Sequence, residues 1–260
     1  MNNREYLESV LTGFNARDLS NYSTDIKKLK RDLKAWAGPC FIAILDSGSR
    51  ARGTAISIAS DVDYLVSLDS SCNENSGGLK SIYDNLYCYL TDRYINIRKQ
   101  NVSFRINLGG LQVDVTPARK YGGNTNDHNL YVSKKDSWIK TNIQKHINDI
   151  SISGRRREIQ MLKIWRELKR FEFPSIYLEY LAVEKLLYRK SKGPESLEAN
   201  LISCFKQLSA EVNNPLDARL VDPANSNNIL SDLLTDNEKK IVKIAAAVAY
   251  DAKCWDIVYG

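Results

Sequence analysis

Two aspartates, Asp61 and Asp63, stand one residue apart in SDVDYLVSL, at the head of a strongly apolar run. Residues two apart on a strand point to the same face, so both carboxylates face one way where most strands carry no charge. Such a pair repels itself unless a proton or a cation sits between the oxygens. A third acid, Asp114, lies in LQVDVT, where Val113 and Val115 share one strand face and Asp114 takes the other. Three converging carboxylates suit a hard divalent cation, which takes a few carboxylate oxygens together with water and substrate phosphates. Two such ions about 3.5–4 Å apart could serve both the attacking and the leaving oxygen of a displacement at phosphorus.

Gly48-Ser49 follows the run FIAIL and precedes the acidic pair. Glycine lets backbone approach a phosphate closely, the start of a helix offers free N–H groups, and Ser49 adds a hydroxyl. Arg50 and Arg52 bring positive charge. A Gly-Ser pair alone is compatible with a plain turn, and DxD alone with a solvated strand entrance. Strand, Gly-Ser, helix start, SDVD and then an apolar-flanked VDV some fifty residues on form a more specific set, that of a nucleoside triphosphate site.

Periodicity gives the frame. Ile26, Leu29, Leu33 and Trp36 predict a helix over 23–36, stopped by Gly38-Pro39. Strands are expected at 41–45, 63–68, 102–108 and 111–116, the last two joined by a hairpin turn at Gly109-Gly110. Leu79, Ile82, Leu86 and Leu90 predict a helix over 79–94. A Gly/Asn-rich loop at 121–129 closes the strand-bearing part. Beyond it, helical spacing recurs at 134–149, 154–171, 175–191, 194–211 and 236–257, with an irregular stretch at 213–228. The expected fold is α+β and two-lobed: residues 1–130 form a small mixed sheet with flanking and N-terminal helices, and residues 131–260 an all-helical lobe.

An apolar share of 43% and a charged share of 26% exclude a disordered chain. The net charge of +6 suits a phosphorylated ligand without demanding nucleic acid. Five scattered cysteines, with no CxxC pair, are expected to be reduced thiols. His128 and His146 lack metal-ligand spacing and are expected at the surface. Trp36, Trp138, Trp165 and Trp255 are read as core or inter-lobe residues, and Tyr177, Tyr180 and Tyr188 as packing ones. Arg155-Arg156-Arg157 is read as a solvated face, with contact to ligand phosphate or RNA as the alternative. No signal segment and no apolar run long enough for a bilayer is seen, so a cytoplasmic protein without membrane partners is expected.

GSRARGTAISIASDVDYLVSL with LQVDVTPA resembles the catalytic pattern of polymerase-β-like nucleotidyltransferases. It is most similar to the branch of oligoadenylate synthetases, cyclic GMP-AMP synthase and bacterial CD-NTases; archaeal CCA-adding enzymes share much of it. Residues 136–149, 158–170, 173–187 and 221–228 resemble further family blocks. The resemblance implies Asp61, Asp63 and Asp114 as ligands of Mg²⁺ (Mn²⁺ as the alternative), with Asp114 also as general base. It implies triphosphate binding by Gly48 and Ser49, and phosphate contacts from Lys163 and Ser175. Ile176 departs from the pattern, since many relatives carry a base-stacking aromatic there, and Tyr177 is its neighbour. No Cys/His zinc insertion like that of the animal DNA sensor is present. Without the resemblance, Lys163 reads as a lysine snorkelling from an apolar helix.

The function implied is template-independent joining of nucleoside triphosphates into a cyclic or linear oligonucleotide messenger in antiphage signalling, with a protein or ligand activator left open. Two other readings stay open from sequence: nucleotide addition to an RNA or tRNA acceptor, and a catalytically inactive nucleotide-binding module.

Overall fold

The computed structural model describes residues 1–59, 62–73, 76–123 and 125–260. Contacts divide it into two compact units, each discontinuous in sequence. One gathers Met1–Arg17, Arg52–Ser60 and Asn148–Gly260; the other gathers Asp18–Ala51 and Asp61–Ile147. The division is thus not a single cut near residue 130, because the N-terminal helix and the 52–60 segment belong with the helical unit.

The second unit holds the sheet. Helix α1 (Asn3–Gly13) lies outside it; α2 (Ser23–Ala37) opens it and buries Leu29, Leu33 and Ala37. Strand β1 (Phe41–Ser47) leads into a single turn, α3 (Gly48–Ala51), and β2 (Val62–Leu68) follows. Helix α4 (Gly78–Thr91) precedes β3 (Arg98–Lys99), β4 (Phe104–Leu108), β5 (Leu111–Lys120), β6 (His128–Val132) and β7 (Ser137–Thr141). Their order is β1-β2-β5-β4-β3, with β6 joining β5 and β7. β2 and β5 are parallel and the other pairs antiparallel. As a central strand β2 is buried on both faces over most of its length, with Val62, Tyr64, Val66 and Leu68 on one face and Leu65 and Ser67 beyond Asp63 on the other. Val62, Tyr64, Val66, Phe104, Ile106, Val113 and Val115 pack with Leu29 and Leu33 of α2 and Ile82, Leu86 and Leu90 of α4. Each fully buried leucine stabilises this core by roughly 2 kcal/mol.

Several expectations are corrected. The segment 134–149 is not one helix: Ser137–Thr141 is β7, paired with β6, and α5 (Ile143–Ser151) starts only after it. Leu130 and Ile139 cover Leu65 and Ala118 on the second face of the sheet, which a solvated loop and helix would leave open. Cys40 and Cys72 are not free thiols; they form a disulfide, with Cα atoms 5.6 Å apart. Cys40 lies just before β1 and Cys72 just after β2, and the Phe41–Leu68 register brings them together. His128 and His146 are buried. Trp138 and Tyr188, expected in packing, are each 60% exposed, whereas Trp165 and Trp255 are core and Trp36 packs against the sheet-unit core.

In the helical unit, α6 (Arg156–Lys169), α7 (Ser175–Leu181), α8 (Leu197–Leu208), α9 (Asp236–Tyr250) and α10 (Trp255–Tyr259) join α1 around one apolar cluster. Thr235 and Glu238 form a capping box that fixes the start of α9. The irregular 213–228 stretch contains a small hairpin, β8 (Val221–Asp222) with β9 (Asn225–Ile229), so this unit is not purely helical. Arg155 is no solvated residue: it is buried and donates to the carbonyls of Leu187, Lys190 and Ser191 and to Glu158. Those carbonyls lie just past the helical stretch that runs from Ser175 to Leu186, and the guanidinium satisfies them. Among the described residues no helix is long and apolar enough to cross a membrane.

Candidate active site

Strand register builds the site. In the sheet unit, Ser47 pairs with Asp63, Asp63 with Asp114, and Asp114 with Arg105, which in turn pairs with Arg98. Registered partners project on the same face. One polar row therefore crosses five strands, on the face opposite the core that Val62, Tyr64, Val113 and Val115 fill. Asp63 and Asp114 stand side by side in it. Asp61 lies outside the described residues.

Asp114 is 8% exposed, and two neighbouring side chains donate to its carboxylate. Arg105 donates Nε to Oδ1 at 2.8 Å and Nη2 to Oδ2 at 2.7 Å, a two-pronged charge-assisted pair. Gln100 Nε2 donates to the same carboxylate at 3.1 Å. Sequence reading missed both residues. Arg105 had a readable signal: counting back three residues on each arm of the hairpin from Leu108 and Leu111 sets Arg105 opposite Asp114. Gln100 had none.

Gly48 follows β1 with φ +64, a left-handed conformation that glycine takes without cost. A Cβ there would come within 2.8 Å of Asp63 Cβ and overlap the Asp63 carboxylate still more closely. Glycine thus leaves the space that the acid fills. Ser49, next to it, is buried at 9% exposure.

Lys163 and Ser175 belong to the helical unit. Lys163 is neither at the surface nor snorkelling: it is 1% exposed and donates Nζ to Thr54 O at 3.1 Å and Glu179 Oε1 at 3.4 Å. Arg52 Nε donates to Glu179 Oε2 at 2.5 Å, Thr54 Oγ1 to Glu179 Oε1 at 2.6 Å, and Gln160 Nε2 to Ala55 O at 3.0 Å. The segment between the Gly-Ser turn and the acidic pair is thereby pinned to α6 and α7. Burial pulls the Lys163 ammonium down to about 8, against the pull of Glu179. Burial alone would raise the Glu179 carboxyl; the Arg52 guanidinium and Lys163 ammonium reverse that and hold it below its usual value. Ser175 Oγ accepts from Arg166 Nη1 at 3.0 Å, leaving the hydroxyl proton to give. Tyr177 is fully buried and donates to Leu216 O at 3.3 Å, so the aromatic beside Ile176 is a core residue.

Asp63 and Asp114 supply hard oxygen donors, which fit Mg²⁺ or Mn²⁺ better than a softer metal. Among the described residues there is no group of three His, Cys, Asp or Glu able to hold a metal ion.

The family model described as the Second Messenger Oligonucleotide or Dinucleotide Synthetase domain matches residues 1–152. Cyclic AMP-AMP-AMP synthase of Escherichia coli (strain MS 115-1) is 25% identical over 243 residues, covering 80% of this chain and 75% of that protein. The structure of E. coli MS115-1 CdnC with ATP superposes with a TM-score of 0.73 at 19% identity, covering 100% of this chain and 98% of the other. Bradyrhizobium diazoefficiens CdnG in complex with GTP gives a TM-score of 0.77 at 10% identity, over 95% of this chain and 90% of the other. With the α+β fold of those enzymes and a family match over more than half its length, the chain belongs to the Second Messenger Oligonucleotide or Dinucleotide Synthetase family, in the CD-NTase branch of nucleotidyltransferases.

Proposed function

We propose that this nucleotidyltransferase joins nucleoside triphosphates into a cyclic or linear oligonucleotide messenger at the face carrying Asp63 and Asp114, with Asp61 as their third partner. The observation that carries this reading is the Asp63–Asp114 register pair beside Gly48. Bound Mg²⁺, or Mn²⁺, would supply charge neutralisation and Lewis acidity to the phosphate oxygens. The chain's own groups do the rest. Backbone at Gly48 comes close to a triphosphate, and Ser49 donates its hydroxyl to a phosphate oxygen. A nucleotide hydroxyl attacks the α-phosphorus, pyrophosphate leaves, and the hydroxyl proton passes to Asp114. Arg105 and Gln100 donate to both Asp114 oxygens, so one of these bonds opens as the carboxylate takes that proton.

Lys163 acts in this reading through the 52–55 segment it holds, and Ser175 keeps a proton to donate to a phosphate. An RNA acceptor draws no support from the relatives, whose names describe cyclic products and bound triphosphates. Incubation with labelled triphosphate pairs and Mg²⁺ or Mn²⁺, followed by phosphatase, tests the proposal. A phosphatase-resistant small product is expected from the natural chain and none from Asp63→Asn. Label incorporated only when RNA is added would contradict it.

A further inference from the structure

We infer that Arg105 is a positioning residue for the transfer reaction: it fixes the orientation of the Asp114 carboxylate and sets how strongly that carboxylate draws a cation. The inference rests on the proposed role of Asp114.

Three observations carry it. The Arg105 fork uses both carboxylate oxygens, with both bonds shorter than 2.9 Å, so rotation of the Asp114 head group would break two charge-assisted bonds at once. Arg105 and Asp114 are register partners on adjacent strands, so the fork is mounted on sheet backbone rather than on a loop. The third donor is itself locked. Gln100 Oε1 accepts from Ser103 Oγ at 3.0 Å, which leaves the amide nitrogen facing Asp114. Gln100 N donates to Ser103 O at 2.9 Å, and Gln100 O accepts from Tyr83 Oη at 2.7 Å.

A free carboxylate on a short side chain rotates readily about its last bond. Gripped at both oxygens by Arg105 and Gln100, the Asp114 carboxylate is held in one orientation beside its register partner Asp63. The same guanidinium puts a positive charge against a metal ligand, and like charge lowers the affinity of that ligand for a cation. Arg105 therefore exchanges some metal affinity for a fixed geometry. A residue that only stabilised the hairpin would change neither metal affinity nor turnover at full folding.

Arg105→Gln removes both fork and charge, whereas Arg105→Lys keeps the charge and loses the fork. Mn²⁺ binding to each protein without nucleotide is followed by electron paramagnetic resonance, folding by urea titration, and synthesis by steady-state kinetics. Arg105→Gln is expected to bind Mn²⁺ at least threefold more tightly than the natural chain, and Arg105→Lys within twofold of it. Both are expected to lose at least tenfold in kcat, with KM for the triphosphate within threefold. If Arg105→Gln does not fold, Arg105→Lys still decides, because a Lys variant with natural kcat overturns the role of the fork. Natural kcat or unchanged Mn²⁺ affinity in folded Arg105→Gln overturns the inference likewise. Asp114→Asn separates the two levels. If it is inactive while the Arg105 variants turn over normally, the Arg105 role alone fails; if it stays active, the function reading beneath it fails.

Discussion

Replacing Gly48 by alanine adds one methyl group at the point where β1 hands over to the Gly-Ser turn. The cost has two parts. An L-residue with a side chain pays about 1 kcal/mol to hold the left-handed conformation that glycine holds freely at φ +64. The new Cβ also occupies the place of the Asp63 carboxylate and would lie 2.8 Å from Asp63 Cβ, so Asp63 must leave its rotamer, at roughly 0.5–1.5 kcal/mol. A loss of about 2 kcal/mol in unfolding free energy is expected from urea titration. Turnover suffers more than stability, since a reacting group displaced by about an ångström loses on the order of 100-fold in rate. Gly53→Ala is the control: Gly53 also has a positive φ, +74, but a Cβ there meets nothing within 4 Å. It should cost about 1 kcal/mol and leave pyrophosphate release near the natural rate. Equal activity of the two variants would refute the claim that Gly48 is glycine because Asp63 needs its space.

Glu179→Gln leaves Arg52 and Lys163 buried without their shared anion, and should cost about 3–5 kcal/mol by urea titration; a loss below about 1 kcal/mol would deny the network its structural role. Reducing the Cys40–Cys72 bridge, which closes a sequence separation of 32, should lower unfolding free energy by about 3–4 kcal/mol, read as a shifted urea midpoint with and without reductant. His128 Nδ1 lies 3.0 Å from the Asn126 carbonyl, so that nitrogen carries the proton and Nε2 accepts from Ser67 Oγ at 2.8 Å. Burial pushes this imidazole below its ordinary 6.5. Its contribution to stability is therefore complete above about pH 6.5 and is lost as pH falls through the lower folded-state value. His128→Gln should flatten the acid limb of the stability curve, and an unchanged slope would assign that limb to other groups.

Much of the sheet unit was legible because its signals are local. The alternation in VSFRINL and LQVDVT and the Gly109-Gly110 turn fix a register that sets Arg105 against Asp114 by counting alone. The β6–β7 hairpin was hidden for a physical reason. Its strands are five residues each, and the true helical period of 143–151 extends by chance into SWIKT, whose Trp138 faces solvent. The discontinuous helical unit was invisible to a linear pass, since its ties are non-local: Asn15 bridges to Ile56, and Gln160 reaches Ala55. Lys163 illustrates the same limit. An apolar helical neighbourhood says that a lysine is near the core, but not that Glu179 and Thr54 wait there for its amine. The Cys40–Cys72 bridge was missed because cysteine spacing was read as a statement about compartment, while strand register decided the pairing.

Transfer at this site requires Asp63 and Asp114 to share one cation-binding face. Anomalous scattering from a crystal grown with Mn²⁺ and a non-hydrolysable triphosphate tests this most directly. A manganese peak with carboxylate oxygens of both Asp63 and Asp114 among its ligands is the predicted result; manganese bound away from both, with Asp114 still closed onto Arg105, would contradict it.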